Sequence, residues 1–176
     1  MDITMPDVST KKLRAYCIID LQSNCTLVDE KVVNFFGKSF PQREFSLKFA
    51  SQNCEMQSVG SVVTGLRVRG ALQSENINLP EALSVPNLCD TKDDVATRTI
   101  VKQHDDVKHY APFFPELDQE AEVLLLVGRD CGRAMASEVL NSSEPYVHKC
   151  PLGYSLVGNV CLNNPTKNSC NIRTQY

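Results

Sequence analysis

Hydrophobic and polar positions alternate with a period of two over much of the first half of the chain, which predicts strands. Arg14 to Asp20 is a compact β-type run that ends in a carboxylate. From Glu44 to Ala50, Phe45, Leu47 and Phe49 point one way and Ser46 and Lys48 the other. Ser51, Gln52 and Asn53 then form a turn, and Cys54 to Val59 returns, so the pattern predicts a β-hairpin. Val62-Val63, Leu66 to Arg69 and Ile77 to Leu79 continue the β character, punctuated by Gly60, Gly65, Gly70 and Pro80. One stretch breaks the rhythm early: Val28 to Phe36 reads as a short helix, with Gly37 at its C-cap.

The second half is less regular. Residues 85–118 hold Pro86, Pro112 and Pro115, many charges and no long apolar run. A surface helix over Asp93 to Tyr110, with Val95, Ile100, Val101 and Val107 as a loose apolar set, competes there with a plain loop. Ala121 to Val127 is the strongest apolar run. Gly128 follows at once, which suits a buried strand. Gly132 to Val139 starts a helix, and Tyr154 to Val160 forms a final strand or a hairpin around Gly158. Residues 1–13 read as a frayed arm or an edge strand, and the polar tail from Asn163 as mobile.

Composition narrows the function classes. The chain has 176 residues, 42% hydrophobic and 22% charged, enough for one core. Its 18 Lys and Arg against 21 Asp and Glu give a net charge of -3, which argues against nucleic-acid binding through a large positive field. No apolar run reaches the roughly 18 residues of a membrane span, and the first dozen residues lack a signal-peptide pattern. The expectation is a cytoplasmic chain with no membrane or nucleic-acid partner.

The eight cysteines are then expected as reduced thiols. They form no Cys-x-x-Cys pair, and Cys150, Cys161 and Cys170 are spaced too openly for a zinc knuckle. His104 and His109 are five apart, off the helical spacing for two ligands on one face, and read as surface histidines. No metal and no cofactor is expected. The Asn24 and Asn141 sequons are formal in a chain that never enters the secretory pathway.

Two segments are candidates for chemistry. In the first, the apolar Cys17-Ile18-Ile19 run delivers Asp20 to a polar turn of Leu21, Gln22, Ser23 and Asn24. A carboxylate at the end of a buried strand is costly unless paired, hydrogen-bonded or protonated. The plain alternative is a half-solvated Asp capping its own turn. In the second, over a hundred positions later, Leu124 to Val127 leads into Gly128, Arg129 and Asp130. The plain alternative there is a Gly-terminated strand with a surface ion pair.

Taken together, "apolar strand, Asp, turn" and "apolar strand, Gly-Arg-Asp, helix", with a hairpin between them, resemble the retropepsin-type aspartic peptidase fold. Ile19 to Asn24, Pro115 to Asp118, Leu124 to Asp130, Pro145-Tyr146 and Leu152 to Leu162 further resemble the peptidase segment of BEL/Pao-type retrotransposon polyproteins. The likeness runs from about residue 14 to 165. It rests on the order and spacing of these segments.

The resemblance implies a mostly β fold: a retropepsin-like acid-protease barrel with one or two short helices and a long insertion at 85–118. In that layout 1–13 is an arm, 14–140 the peptidase-like domain, and 141–176 an extension towards an absent reverse transcriptase. Asp20 is the implied catalytic residue, one per chain, in a homodimer that cleaves peptide or polyprotein substrates. Ser51, Gln52 and Asn53 are the implied flap. Gly128, Arg129 and Asp130 are implied structural residues, with Gly128 allowing close passage of chains. Asp90-Thr91-Lys92 does not make a second Asp-Thr/Ser-Gly, so a two-lobed single-chain enzyme is not expected.

Leu21 and Gln22 stand where the family has Thr or Ser and then Gly. This departure opens an alternative function: a catalytically inactive retropepsin-like module that binds peptides or dimerises.

Overall fold

The computed structural model describes residues 1–8, 10–48, 55–88, 95–158 and 160. Twelve strands and three short α-helices are found among them. The fold is mostly β: a large curled sheet in a half-barrel with few helices.

The large sheet is built on its middle. Strand β2 (Lys12–Ile19) and strand β9 (Glu122–Val127) run parallel, with Ile19 opposite Val127. Strand β3 (Thr26–Asp29) lies on the other side of β9 and runs antiparallel to it. Strand β9 is therefore inserted between two strands that follow one another in sequence, and the 20–25 loop passes over its C-terminal end. All four β3 residues are buried, as are Val123, Leu124, Leu125 and Val127 of β9. A strand covered on both faces reads as a continuous apolar run, which is why Ala121 to Val127 is so legible.

Beyond β3 the sheet continues through β8 (Ala82–Val85) to β5 (Glu55–Val63) and β4 (Gln42–Lys48). The expected hairpin is present as β4 and β5, with both strands bounded differently from the pattern reading. Its tip, including the expected flap residues Ser51, Gln52 and Asn53, lies outside the described residues. On the other flank, β2 pairs with β1 (Asp2–Thr4), which pairs with β6 (Arg67–Arg69) and then β7 (Ile77–Asn78).

Strand β1 corrects the expectation of a frayed arm or an edge strand. It is hydrogen-bonded on both sides, and Ile3 and Met5 are fully buried. Burying each such side chain contributes roughly 1.5–3 kcal/mol, enough to order a short polar-looking segment. The helix expected from Val28 begins later, as α1 (Glu30–Phe36). Val28 and Asp29 belong to β3, and Asp29 is the N-cap, its Oδ1 accepting from Lys31 N at 2.9 Å. Gly37 ends the helix as expected, at φ 66°, a left-handed conformation that favours glycine.

The largest correction lies between 95 and 118. Neither a long surface helix nor a plain loop forms. Instead α2 (Arg98–Val101) and a 3-10 helix (Lys108–Phe113) fold onto a second, separate core. Ile100, Val101, Val107, Ala111 and Phe114 pack there with Val147 and Leu156. The last two come from β11 (Tyr146–Cys150) and β12 (Gly153–Val157). With β10 (Glu138–Val139) these make a three-stranded sheet. The final hairpin therefore turns at Pro151-Leu152, ahead of Gly158. Helix α3 (Gly132–Met135) is shorter than the expected 132–139 run, because Glu138 and Val139 pair with β11.

Candidate functional site

The end of β2 and the end of β9 lie side by side because the strands are parallel and in register. Asp20 N–H donates to Val127 O at 3.0 Å, so Asp20 leaves the sheet next to Gly128. Its carboxylate Oδ1 accepts from Gln22 N–H at 2.8 Å. That bond is the turn cap of the plain reading. Asp20 is half-buried, and among the described residues Oδ2 has no hydrogen-bond partner. Leu21 is 65% exposed, and Gln22 is exposed as well.

The rest of the loop is fastened to the turn after β9. Arg129 N–H donates to Ser23 O at 2.9 Å, and Ser23 Oγ donates to Cys25 O at 2.7 Å. Thr26 N–H donates to Asp130 Oδ2 at 2.8 Å, and Thr26 Oγ1 donates to Asp130 Oδ1 at 2.7 Å. Gly128 N–H completes the set by donating to Thr26 Oγ1 at 3.2 Å. A Cβ placed on Gly128 would lie 2.4 Å from Cys25 O, so only glycine admits this crossing. Gly128 and Asp130 thus hold the Asp20 loop from behind. Asp130 gives its carboxylate to Thr26, while Arg129 acts through its backbone and is itself exposed.

Burial pushes the Cys25 thiol up, and the neighbouring Asp130 charge adds to the effect. Cys131, at the start of α3, is pushed up in the same way, by desolvation first. Neither thiol has the character of an activated nucleophile. Asp20 is the one carboxylate of the 20–25 loop.

The hairpin β4–β5 stands beside this loop. Phe45 and Leu47 of β4 pack with Leu27, Leu83, Val85, Leu88, Leu126 and Cys25. The outer part of β5, from Glu55 to Gln57, is exposed. An apolar ledge therefore links the middle of the hairpin to β8, β3 and β9 and to Cys25 at the end of the Asp20 loop.

Sequence reasoning missed two members of this region. Thr26 is fully buried and bridges the two loops, but one Thr after a polar turn has no signature of its own. Asp29 is 2% exposed, and its Oδ2 accepts from Leu88 N–H at 3.1 Å, tying α1 to the segment after β8. The signal for Asp29 was available: an Asp followed by Glu30 at a helix start is an N-cap pattern. Among the described residues no group of three or more His, Cys, Asp or Glu is placed to hold a metal ion. No helix among them is long and apolar enough to cross a membrane. No protein-family model, no curated protein and no solved structure matches the chain.

Proposed function

We propose that this chain is a retropepsin-like aspartic endopeptidase module of BEL/Pao retrotransposon type, acting as a homodimer with one Asp20 per chain. The observation that carries the reading is the placement of Asp20. A half-buried carboxylate leaves a central strand in register with a Gly-Arg-Asp turn that locks its loop, beside a projecting hairpin.

One carboxylate per chain requires a second copy. Brought within hydrogen-bond distance by a two-fold axis, two Asp20 carboxyls do not both ionise cheaply, so they share one proton. The ionised member takes a proton from a water held between them. The water oxygen attacks the peptide carbonyl, and the protonated member donates to the carbonyl oxygen or the leaving amine. The β4–β5 hairpin covers the extended substrate, and the apolar ledge under it receives side chains flanking the scissile bond.

A second reading has its own support. Leu21 brings no hydroxyl to the loop, and Gln22 already donates its N–H to Asp20. Under that reading the module binds peptides or dimerises without turnover. Incubating a peptide library near pH 5 with the wild-type chain and with Asp20→Asn separates the two. The peptidase reading expects cleavage by the wild type alone. Equal cleavage by both, or none by either, removes it.

A further inference from the structure

The face of the sheet formed by β2, β1 and β6 carries a concentration of positive charge that the peptidase reading does not use. In the register of β2, β1 and β6, Asp2 lies between Arg14 and Arg69, and Thr4 lies between Lys12 and Arg67. Positions in register, and two apart along a strand, share one face. That face therefore holds four cations in two adjacent rows, with Asp2 buried among them, on a chain whose net charge is -3.

The counter-charges are unevenly distributed. Lys12 reaches Asp2 at 2.9 Å, and Arg14 reaches Asp118 at 3.3 Å. Arg69 shares Asp2 at 3.3 Å. Asp7, the other acid nearby, pairs with Lys38 at 2.8 Å. Arg67 makes no ion pair within 4.0 Å among the described residues, although its charge acts on Asp7 from farther off. Its Nε donates to Asn78 Oδ1 at 3.0 Å, which orients the guanidinium of this exposed side chain. Arg67 and Arg69 line a cleft of about 260 Å³ together with Thr4, Asn76 and the ion-paired Asp2 carboxylate.

An oriented, exposed guanidinium is suited to bidentate contact with phosphate oxygens. Arg69, two residues along the strand and roughly 7 Å away at Cα, lines the same cleft and is held there by its bond to Asp2. We infer that the cleft between Arg67 and Arg69 is a binding site for a diphosphate group, either free or as the tail of a nucleotide. Arg67 and Arg69 clamp the two phosphoryl groups, Thr4 and Asn76 supply neutral contacts, and Lys12 and Arg14 add only long-range attraction.

Isothermal titration of the full chain in about 100 mM salt, where long-range attraction is already screened, tests the inference. The probes are inorganic pyrophosphate, orthophosphate, a nucleoside diphosphate and a single-stranded oligonucleotide. Pyrophosphate is expected to saturate one site at least about tenfold more tightly than orthophosphate, since each added phosphoryl–guanidinium pair strengthens binding. Arg67→Gln is expected to weaken it at least about tenfold with the unfolding midpoint unchanged, because Arg67 is exposed. A nucleoside diphosphate that binds more tightly than pyrophosphate assigns the group to a nucleotide; equal affinity assigns it to the free anion. No saturable pyrophosphate binding, or equal binding by wild type and Arg67→Gln, overturns the site. So does preferred oligonucleotide binding that is lost equally in Lys12→Gln, Arg14→Gln and Arg67→Gln, which describes an extended strip instead of a cleft.

Discussion

Thr26 and Asp130 are joined twice, through the Thr26 backbone N–H and through its hydroxyl, at 2.8 and 2.7 Å. The two residues are 104 positions apart, yet this pair of hydrogen bonds fixes the start of β3 against the turn that follows β9. Hydrogen bonds to a charged acceptor contribute roughly 1.5–3 kcal/mol each. Asp130→Ala is therefore expected to destabilise the fold by about 2–4 kcal/mol, and Asp130→Asn by less, since it keeps one acceptor. Gly128→Ala is expected to be at least as damaging, because its Cβ meets the Cys25 carbonyl. Urea unfolding of the three variants checks the order.

The second core makes a regional prediction. Phe114 is fully buried and packs against Tyr154 at 6.0 Å between ring centroids. Phe114→Ala is expected to cost about 3–5 kcal/mol. The loss is expected to be local. Hydrogen exchange should accelerate in α2, β11 and β12, while β2, β3 and β9 stay protected. Uniform acceleration through β9 would mean that the two cores unfold as one.

Asp2 sets a pH dependence. Burial alone pushes its carboxyl up, but hydrogen bonds from Lys12 and Arg69 and the Lys12 charge outweigh that and hold it below the usual 3.8. A carboxyl whose folded value lies below its unfolded one stabilises the fold above the unfolded value. The contribution disappears as pH falls through the folded value. Asp2→Asn is therefore expected to be less stable than the wild type at neutral pH, with the difference closing below about pH 4. Denaturant midpoints measured from pH 7 down to pH 3 read this directly. An unchanged difference across that range would show that Asp2 acts through packing and not through charge.

The thiols give a chemical test. Cys17, on β2, is pushed up to about 12 by burial. Cys25 and Cys131 are pushed up as well, also mainly by burial. Alkylation requires the thiolate. Iodoacetamide near pH 8 is expected to leave these three unmodified in the native chain and to label them promptly in denaturant, as mass spectrometry of the digested protein will show. Rapid native labelling of Cys17 would place β2 in exchange with an open state.

The sequence was most legible where burial on two faces made the pattern continuous. Leu124 to Val127 and the Gly128 stop follow from that, whereas the hairpin strand around Phe45 and Leu47 was legible through one-faced alternation. The Gly37 cap was legible because one residue type dominates that position. Elsewhere the pattern failed for identifiable reasons. Strand β1 is three residues long, so Ile3 and the following Met5 are too few to show a period, and one of its two partners, β6, lies over sixty positions away. Ile100, Val101, Val107 and Phe114 look loosely spaced because a 3-10 helix and turns bring them together, and the residues that bury them, Val147 and Leu156, come much later in the chain. At the candidate site, Asp20 and Gly128 were visible as strand-end residues. Thr26, which links their loops, was not, because its role depends wholly on a carboxylate far along the chain.

The claim that each copy supplies one Asp20 to a shared centre is tested most directly by mixing. Wild-type chain is combined with Asp20→Asn at equal amounts, allowed to exchange, and assayed for peptide cleavage at fixed total protein. A centre that needs Asp20 from both copies retains about one quarter of the activity of an all-wild-type sample, because only wild-type pairs are active. Retention of about one half, as for independent sites within each chain, contradicts the account, as does a wild-type sample that cleaves nothing.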